Sequence, residues 1–319
     1  MNTRIPHVLR ARIPAVPMFL AACLVCFGQN NLQPLQPGTV VTGQCAGHEG
    51  EPGCVLPNLF GSTGLTLFNN PTFPHYAHFA GSAQTTLNQT LSTAIATQLA
   101  ILPIISPASG FTYKYDSAAG AFVRTSSSFG AIYSERAETI GRGRFSFGVS
   151  YQRFRFGSLD GIDLHNMPAV FSHVPNTGPN MSAEPYEADV IRTSNNIDLN
   201  MDQTMLYGTV GITDRFDVSV AIPLVSVRMG ASSDASIVRV SGPTFVPAPG
   251  VPPVPNPHQF NASAASLTNS YSSTGSAAGL GDITLRFKGN LHQGENVRVA
   301  LAMDVRTPTG NAREFLGSG

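Results

Sequence analysis

The stretch that decides the fold is Gly281-Asp282-Ile283-Thr284-Leu285-Arg286-Phe287-Lys288-Gly289-Asn290-Leu291, a polar connector over 292–296, then Val297-Arg298-Val299-Ala300-Leu301-Ala302-Met303-Asp304-Val305-Arg306. From Ile283 onward the odd positions of both runs are apolar except Gly289, and full charges sit only at even positions. Successive strand side chains point to opposite faces, so each run has one oily face and one charged face. The connector holds Gly294, able to take a positive φ in a short hairpin loop. Two alternating runs of about ten residues joined by a tight turn are the pattern of a transmembrane β-hairpin. A hairpin of a water-soluble sandwich alternates in the same way, with its apolar face in the core. The rest of the chain has to choose between the two.

Composition leans one way. Only 12% of the residues are charged, about half the usual share of a soluble protein. Formal net charge is zero, so no strong field draws the chain to nucleic acid. No apolar run of helical-span length occurs beyond the N-terminus. Residues 1–28 read as a secretory signal, with Arg4, Arg10 and Arg12 ahead of the apolar run 15–27. Leu20-Ala21-Ala22-Cys23 is a rival lipoprotein cleavage box. Cleavage after Gly28 would remove Cys23 and Cys26 and leave Cys45 and Cys54, a pair suited to a disulfide in an oxidising compartment.

Residues 29–131 form an N-terminal extension of coil, a helix over 82–102 with Leu87, Leu91, Ile95 and Leu99 on one face, and a small hairpin over 111–124. The helix could plug a barrel lumen or pack in the periplasm. From 132 the chain turns to β-structure, with spanning strands expected at 144–156, 195–212, 215–229, 281–291 and 297–306. Alternation changes phase near Gln152-Arg153 and again before Leu206, which suggests bulges, and Pro223 argues for a local kink or bulge. Long segments, 157–189 and 230–280, alternate with short turns at 213–215 and 293–296. Barrels of the bacterial outer membrane sort long loops outward and short turns to the periplasm in this way. The fold expected is therefore an all-β, antiparallel transmembrane β-barrel in the outer membrane. Such barrels have an even strand number, so an odd count of five suggests that the barrel is C-terminally truncated.

Three stretches resemble one family: 134–143 (Ser-Glu-Arg-Ala-Glu-Thr-Ile-Gly-Arg-Gly) leading into Phe145 and Tyr151-Gln152, 279–286 (Gly-Leu-Gly-Asp-Ile-Thr-Leu-Arg), and 304–310 (Asp-Val-Arg-Thr-Pro-Thr-Gly). They are similar to the outer-membrane proteins grouped as the "MetA-pathway of phenol degradation" transporter family. The resemblance runs from about residue 132 to the end with the long loops unmatched, and it implies a membrane barrel with a transport role and no catalytic motif.

Few residues are candidates for chemistry. His75-x-x-His78 has metal-like spacing but lies in coil without nearby acids or thiols, so loop histidines are the preferred reading. Gly141-x-Gly143 precedes a strand, which excludes a dinucleotide turn. No Gly-x-Ser-x-Gly elbow appears and the five strands contain no histidine, so no enzyme and no cofactor is expected. The remaining candidates are lumen-facing charges: Asp198, Asp202, Asp217, Arg286, Lys288, Arg298, Asp304 and Arg306. They could line a hydrated pore or form ion pairs inside a plugged barrel. The expected function is passive or gated uptake of small molecules, hydrophobic or aromatic ones among them. A structural or adhesive surface barrel, binding partners through 157–189 and 230–280, is the alternative. The partners implied are outer-membrane lipid and small solutes.

Overall fold

All 22 residues of Val190–Gly211 pair with the antiparallel strand Phe216–Val238, and no register shift interrupts the ladder from Val190↔Val238 to Gly211↔Asp217. This hairpin, about twice as long as a membrane needs, is the spine of the computed structural model. The structure describes residues 45–61, 63–69, 76–79, 82–83, 91, 93–100, 111–126, 137–159, 161–173, 185–246, 249–250, 252–262, 266–295 and 297–318. The expected signal and its cysteines lie outside the described residues. The strands are β1 (Phe111–Asp116), β2 (Ala121–Ser126), β3 (Arg144–Phe156), β4 (Ser158–Leu159), β5 (Ile162–Asp163), β6 (Met167–Ser172), β7 (Val190–Gly211), β8 (Phe216–Val238), β9 (Thr244–Phe245), β10 (Val254–Pro255), β11 (Thr268–Leu280), β12 (Thr284–Gln293) and β13 (Arg298–Arg306). The helix α1 (Thr93–Ala100) precedes them among the described residues; of the expected helix 82–102, residues 84–90, 92 and 101–102 lie outside the described residues.

Nine of these strands make one antiparallel sheet in the order β13-β12-β8-β7-β3-β1-β2, with β6 beside β7 and β11 beside β8. The fold is all-β, as the alternation required. Among the described residues β2 and β13 end the order without meeting. Each long strand is flanked in two pieces. The half of the hairpin nearer its 212–215 turn lies between β3 and β12, and the far half lies between β6 and β11. The turn end is called lower here and the opposite end upper.

Along β3, β7 and β8 the sheet keeps a more buried and a more exposed face, and the identity of the apolar face reverses partway up. On β8 the outward residues are Phe216, Val218, Val220, Ile222 and Leu224, then Ser226, Arg228, Gly230, Ser232 and Asp234. The inward ones begin Asp217, Ser219, Ala221 and continue Val225, Val227, Met229. On β7 the outward face passes from Asp198, Asn200 and Asp202 to Thr204, Leu206, Gly208 and Val210. On β3 it passes from Phe147, Val149 and Tyr151 to Arg153 and Arg155. The change falls in one cross-strand row: Tyr151, Thr204 and Leu224 are paired on the apolar side of it, Arg153, Asp202 and Ser226 on the polar side. The bulges expected at Gln152-Arg153 and before Leu206 are therefore absent. An inserted residue and an exchange of the face that carries the apolar side chains leave the same mark in a sequence, and here it is the exchange.

β8 runs through Pro223 without the expected kink or bulge, and the irregularity lies opposite it, between β11 and β12. The N–H and C=O of one strand residue point to the same neighbour. Pro223 uses its carbonyl to accept from Gly281 N–H, so its missing N–H also faces β11 and β12. The pairing sums shift by one residue between Leu280↔Leu224 and Thr284↔Ala221, which places a bulge at 281–283, while β7 pairs past Pro223 undisturbed. At the β12–β13 turn Gly294 does not adopt a positive φ. A Cβ there would lie 2.8 Å from Nε2 of the exposed His292 side chain, which can swing away, and 3.1 Å from the Val297 carbonyl oxygen.

Much of the expected loop 230–280 is strand, with β8 running to Val238 and β11 starting at Thr268. Likewise 157–189 contains the β4–β5 hairpin and β6. Ser, Gly and Ala on both faces of β11 hide a strand from any apolar alternation. Against the inner face of this upper half lies the main core. Val55, Leu56, Leu59, Phe60, Leu91, Ile95 and Leu99 of the extension meet Ile197, Leu199, Met201, Val225, Val227 and Met229 of the long hairpin. Phe60 contacts Phe171 and Tyr271 edge-on at 5.9 and 5.0 Å. The Cys45–Cys54 disulfide (Cα–Cα 5.6 Å) closes the loop immediately before Val55. That loop lies so close to β11 that a Cβ on Gly275 would sit 2.8 Å from Glu51 backbone.

Candidate functional site

The lower inner face gathers most of the charges the sequence singles out. Registers lay them in rows: Gly211, Asp217, Lys288 and Ala302 in one, and Ser146, Thr209, Ser219, Arg286 and Asp304 in the next. Above these come Gly148, Tyr207, Ala221, Thr284 and Arg306. The Arg286 guanidinium donates twice to Asp304, at 2.6 Å from both Nε and Nη2. This bidentate fork is the strongest form of such a pair. Lys288 Nζ lies 3.8 Å from Asp217 Oδ2 and both side chains are almost wholly buried. Thr209 donates to Ser219 at 2.9 Å.

What buries them is the stretch 137–143, part of the family-like segment that leads into β3. Ile140 N–H donates to Asp217 Oδ2 at 3.1 Å, and Asn290 Nδ2 donates to Ala137 O at 2.8 Å. Glu138 pairs with Arg298. At the turn, Thr139 donates to Asp214 O and Arg142 N–H to Asp214 Oδ1. In the sequence Gly141 and Gly143 show only that they precede a strand. The alternation test cannot register a segment that crosses an inner face, because such a segment has no period of its own.

Asp217, Arg286, Lys288, Arg298, Asp304 and Arg306 share the inner side, whereas Asp198 and Asp202 do not. They point outward above the row of Tyr151, on the opposite face from Asp217. Above the outward apolar band the polar residues of β7 lie on the outward face and the apolar ones on the inward face. Asp202 accepts from the Tyr151 hydroxyl at 2.5 Å and from Arg228 Nη2 at 2.7 Å, with Arg153 Nε 3.4 Å away. Asp282 is turned to a structural task and accepts from Gly310 and Ser318 N–H.

A second polar cluster was not legible in the sequence. Asp189 and His258, both fully buried, lie 2.9 Å apart (Oδ2 to Nδ1). Asn256 Nδ2 and Ser241 N–H also donate to Asp189, at 2.7 and 3.0 Å. Burial opposes ionisation of Asp189, but these hydrogen bonds outweigh it and leave its pKa lowered. Arg239 donates to the His258 carbonyl at 2.6 Å. His173 and Tyr186 pack on the His258 ring, and His78 stacks on His173 at 4.6 Å; His75 lies outside the described residues. The cluster ties the connection after β6 to the one after β8. These partners are 69 residues apart in the chain, beyond any spacing rule.

Residues 191–317 match the family described as "Putative MetA-pathway of phenol degradation". The match covers the β7–β8 hairpin, β11 to β13 and the turn that Asp282 holds, and so includes two of the three stretches on which the resemblance was read. No curated protein and no solved structure matches the chain.

Proposed function

We propose that the protein is an outer-membrane β-barrel that admits small solutes by gated uptake and catalyses no reaction. The observation that carries this reading is the single row in which β3, β7 and β8 exchange their apolar faces. From Phe216 to Leu224 the outward apolar run covers eight steps of about 3.4 Å, and a strand tilt of about 40° makes that roughly 21 Å of height. An outer-membrane barrel carries an apolar band of about 25 Å. The family match and the all-β fold are compatible with that location. Two features support uptake over a purely structural role. The inner side of the band is polar and charged, as a hydrated path requires. Above it the apolar core formed with the extension makes a closure that must move for a solute to pass. That apolar lining favours hydrophobic or aromatic solutes.

Planar-bilayer recording of the full-length protein tests the proposal. Discrete openings are expected, and deletion of 45–100 should raise their frequency or size. Silence in both forms would favour the surface-adhesion alternative, in which segments 157–189 and 230–280 bind a partner.

A further inference from the structure

We infer that Arg153, Arg155 and Arg228 form a docking site for the phosphate groups of an outer-leaflet lipid. The inference rests on the membrane reading above. It starts from where the arginines stand. Arg153 is two residues above Tyr151, the last outward member of the apolar band on β3, and Arg155 is two further on. Arg228 is in the same row as Arg155, with Asn200 between them on β7. All three point outward. The rows rise by about 5 Å each at a tilt of about 40°, so the guanidiniums lie within about 10 Å above the apolar edge. That is the height of lipid headgroups.

A bland account exists. The arginines could serve only to balance Asp202, to which Arg228 and Arg153 are close. Charge counting argues against it. The first two polar rows hold three guanidiniums against one carboxylate, so two positive charges remain at that level. The next carboxylate, Asp198, is one row higher and accepts from Asn200 Nδ2 at 2.7 Å. Arg153 and Arg228 also stay about half exposed, with donors left for another acceptor. A guanidinium presents its N–H groups in a planar fork that fits phosphate oxygens. The upper end carries the long connections, which in outer-membrane barrels face the cell exterior, so the facing leaflet is the outer one.

The test uses full-length protein in neutral detergent, with native mass spectrometry reading lipid adducts. Three probes are compared: diphosphorylated lipid A, the same lipid with both phosphates removed, and inorganic phosphate. The phosphorylated lipid should bind at least about tenfold more tightly than the dephosphorylated one. Replacing the three arginines by Gln should abolish that difference, and replacing them by Lys should keep most of it. Asp202→Asn should strengthen binding, because the carboxylate competes with phosphate for the same donors; a purely structural balance predicts no gain. Should the Gln variant fail to fold, the phosphate preference of the wild type and the Asp202→Asn result still decide. Equal binding of both lipids, or displacement of the lipid by stoichiometric inorganic phosphate, overturns the inference. Heat-modifiable gel migration and protease protection in vesicles are recorded alongside. A wild type that never inserts refutes the membrane reading, whereas one that inserts without lipid preference refutes only the arginine site.

Discussion

The exchange of faces, under the proposed membrane location, makes a depth-dependent prediction for charges on the outward face. Val220 is in one outward row with Phe147, Gly208, Leu285 and Val305. It is four residues from Phe216 and four from Leu224, so this row is the midplane of the apolar band. Leu301 is opposite Gly289, which is opposite Phe216, at the lower edge. The separation of four residues is about 14 Å along the strand and roughly 10 Å in height. Val220→Arg and Leu285→Arg should each cost about 2–4 kcal/mol, and Leu301→Arg about 0–1 kcal/mol. Ser226→Arg, one row above the band, should be neutral within about 0.5 kcal/mol. Denaturant titration of the full-length protein in vesicles, followed by heat-modifiable migration, gives the series. A water-soluble sheet would leave Val220 and Leu285 facing solvent, and arginine there would be nearly silent. A flat series, or one in which Ser226→Arg is the costliest, would refute the assignment of lipid to the lower outward face.

Three further outcomes are expected. Gly148→Val would push a side chain into the ring of its cross-strand partner Tyr207 on the inner face, costing about 1–3 kcal/mol, and Gly148→Val with Tyr207→Ala should recover most of it in the same titration. Reduction of the Cys45–Cys54 bridge, with its sequence separation of 9, should destabilise the disulfide loop by about 3 kcal/mol; non-reducing mass spectrometry that found two free thiols would remove the basis of this figure. Asp189 has a lowered pKa in the fold, so its stabilisation is complete above about pH 4 and is lost as pH falls through the lowered value. Proteolysis of the 239–267 connection should therefore stay slow from pH 7 to pH 5 and accelerate below about pH 4, with Asp189→Ala fast at every pH; a transition confined to pH 5–7 would contradict the role given to Asp189.

The alternation of 283–305 was enough to place Leu285, Leu301, Arg286 and Asp304 on their faces, because that hairpin lies almost wholly within the band. The same rule misplaced Asp198 and Asp202. A period of two says which residues share a face and nothing about what covers it. On β7 the polar phase is outward above Thr204 and inward below it, and the chain passes between the two without an extra residue. Pro223 marked an irregularity in the sheet because its missing N–H is a local fact, while its place opposite β8, between β11 and β12, depended on which way the Pro223 carbonyl points. β11 could not be read at all: Ser272, Thr274 and Ser276 outward and Ser273, Gly275 and Ala277 inward give a strand with almost no hydropathy contrast.

The inner charges show a related limit. Composition marks Arg286, Lys288, Asp217 and Asp304 as charged, and register brings them together, but only the structure says how they are spent. Reversing Arg286 would set a carboxylate against Asp304 in a half-buried pair, so Arg286→Glu should weaken folding as well as alter selectivity. Lys288 and Asp217 lie beneath 137–143, and opening that stretch would strand both. Arg306 stands higher, beyond the rows of those two pairs. The face that the sequence presents as a uniform charged lining therefore resolves into a covered lower pair, a forked middle pair and Arg306 one row above them. Selectivity should accordingly respond least to Lys288, whose side chain is almost wholly buried against Asp217.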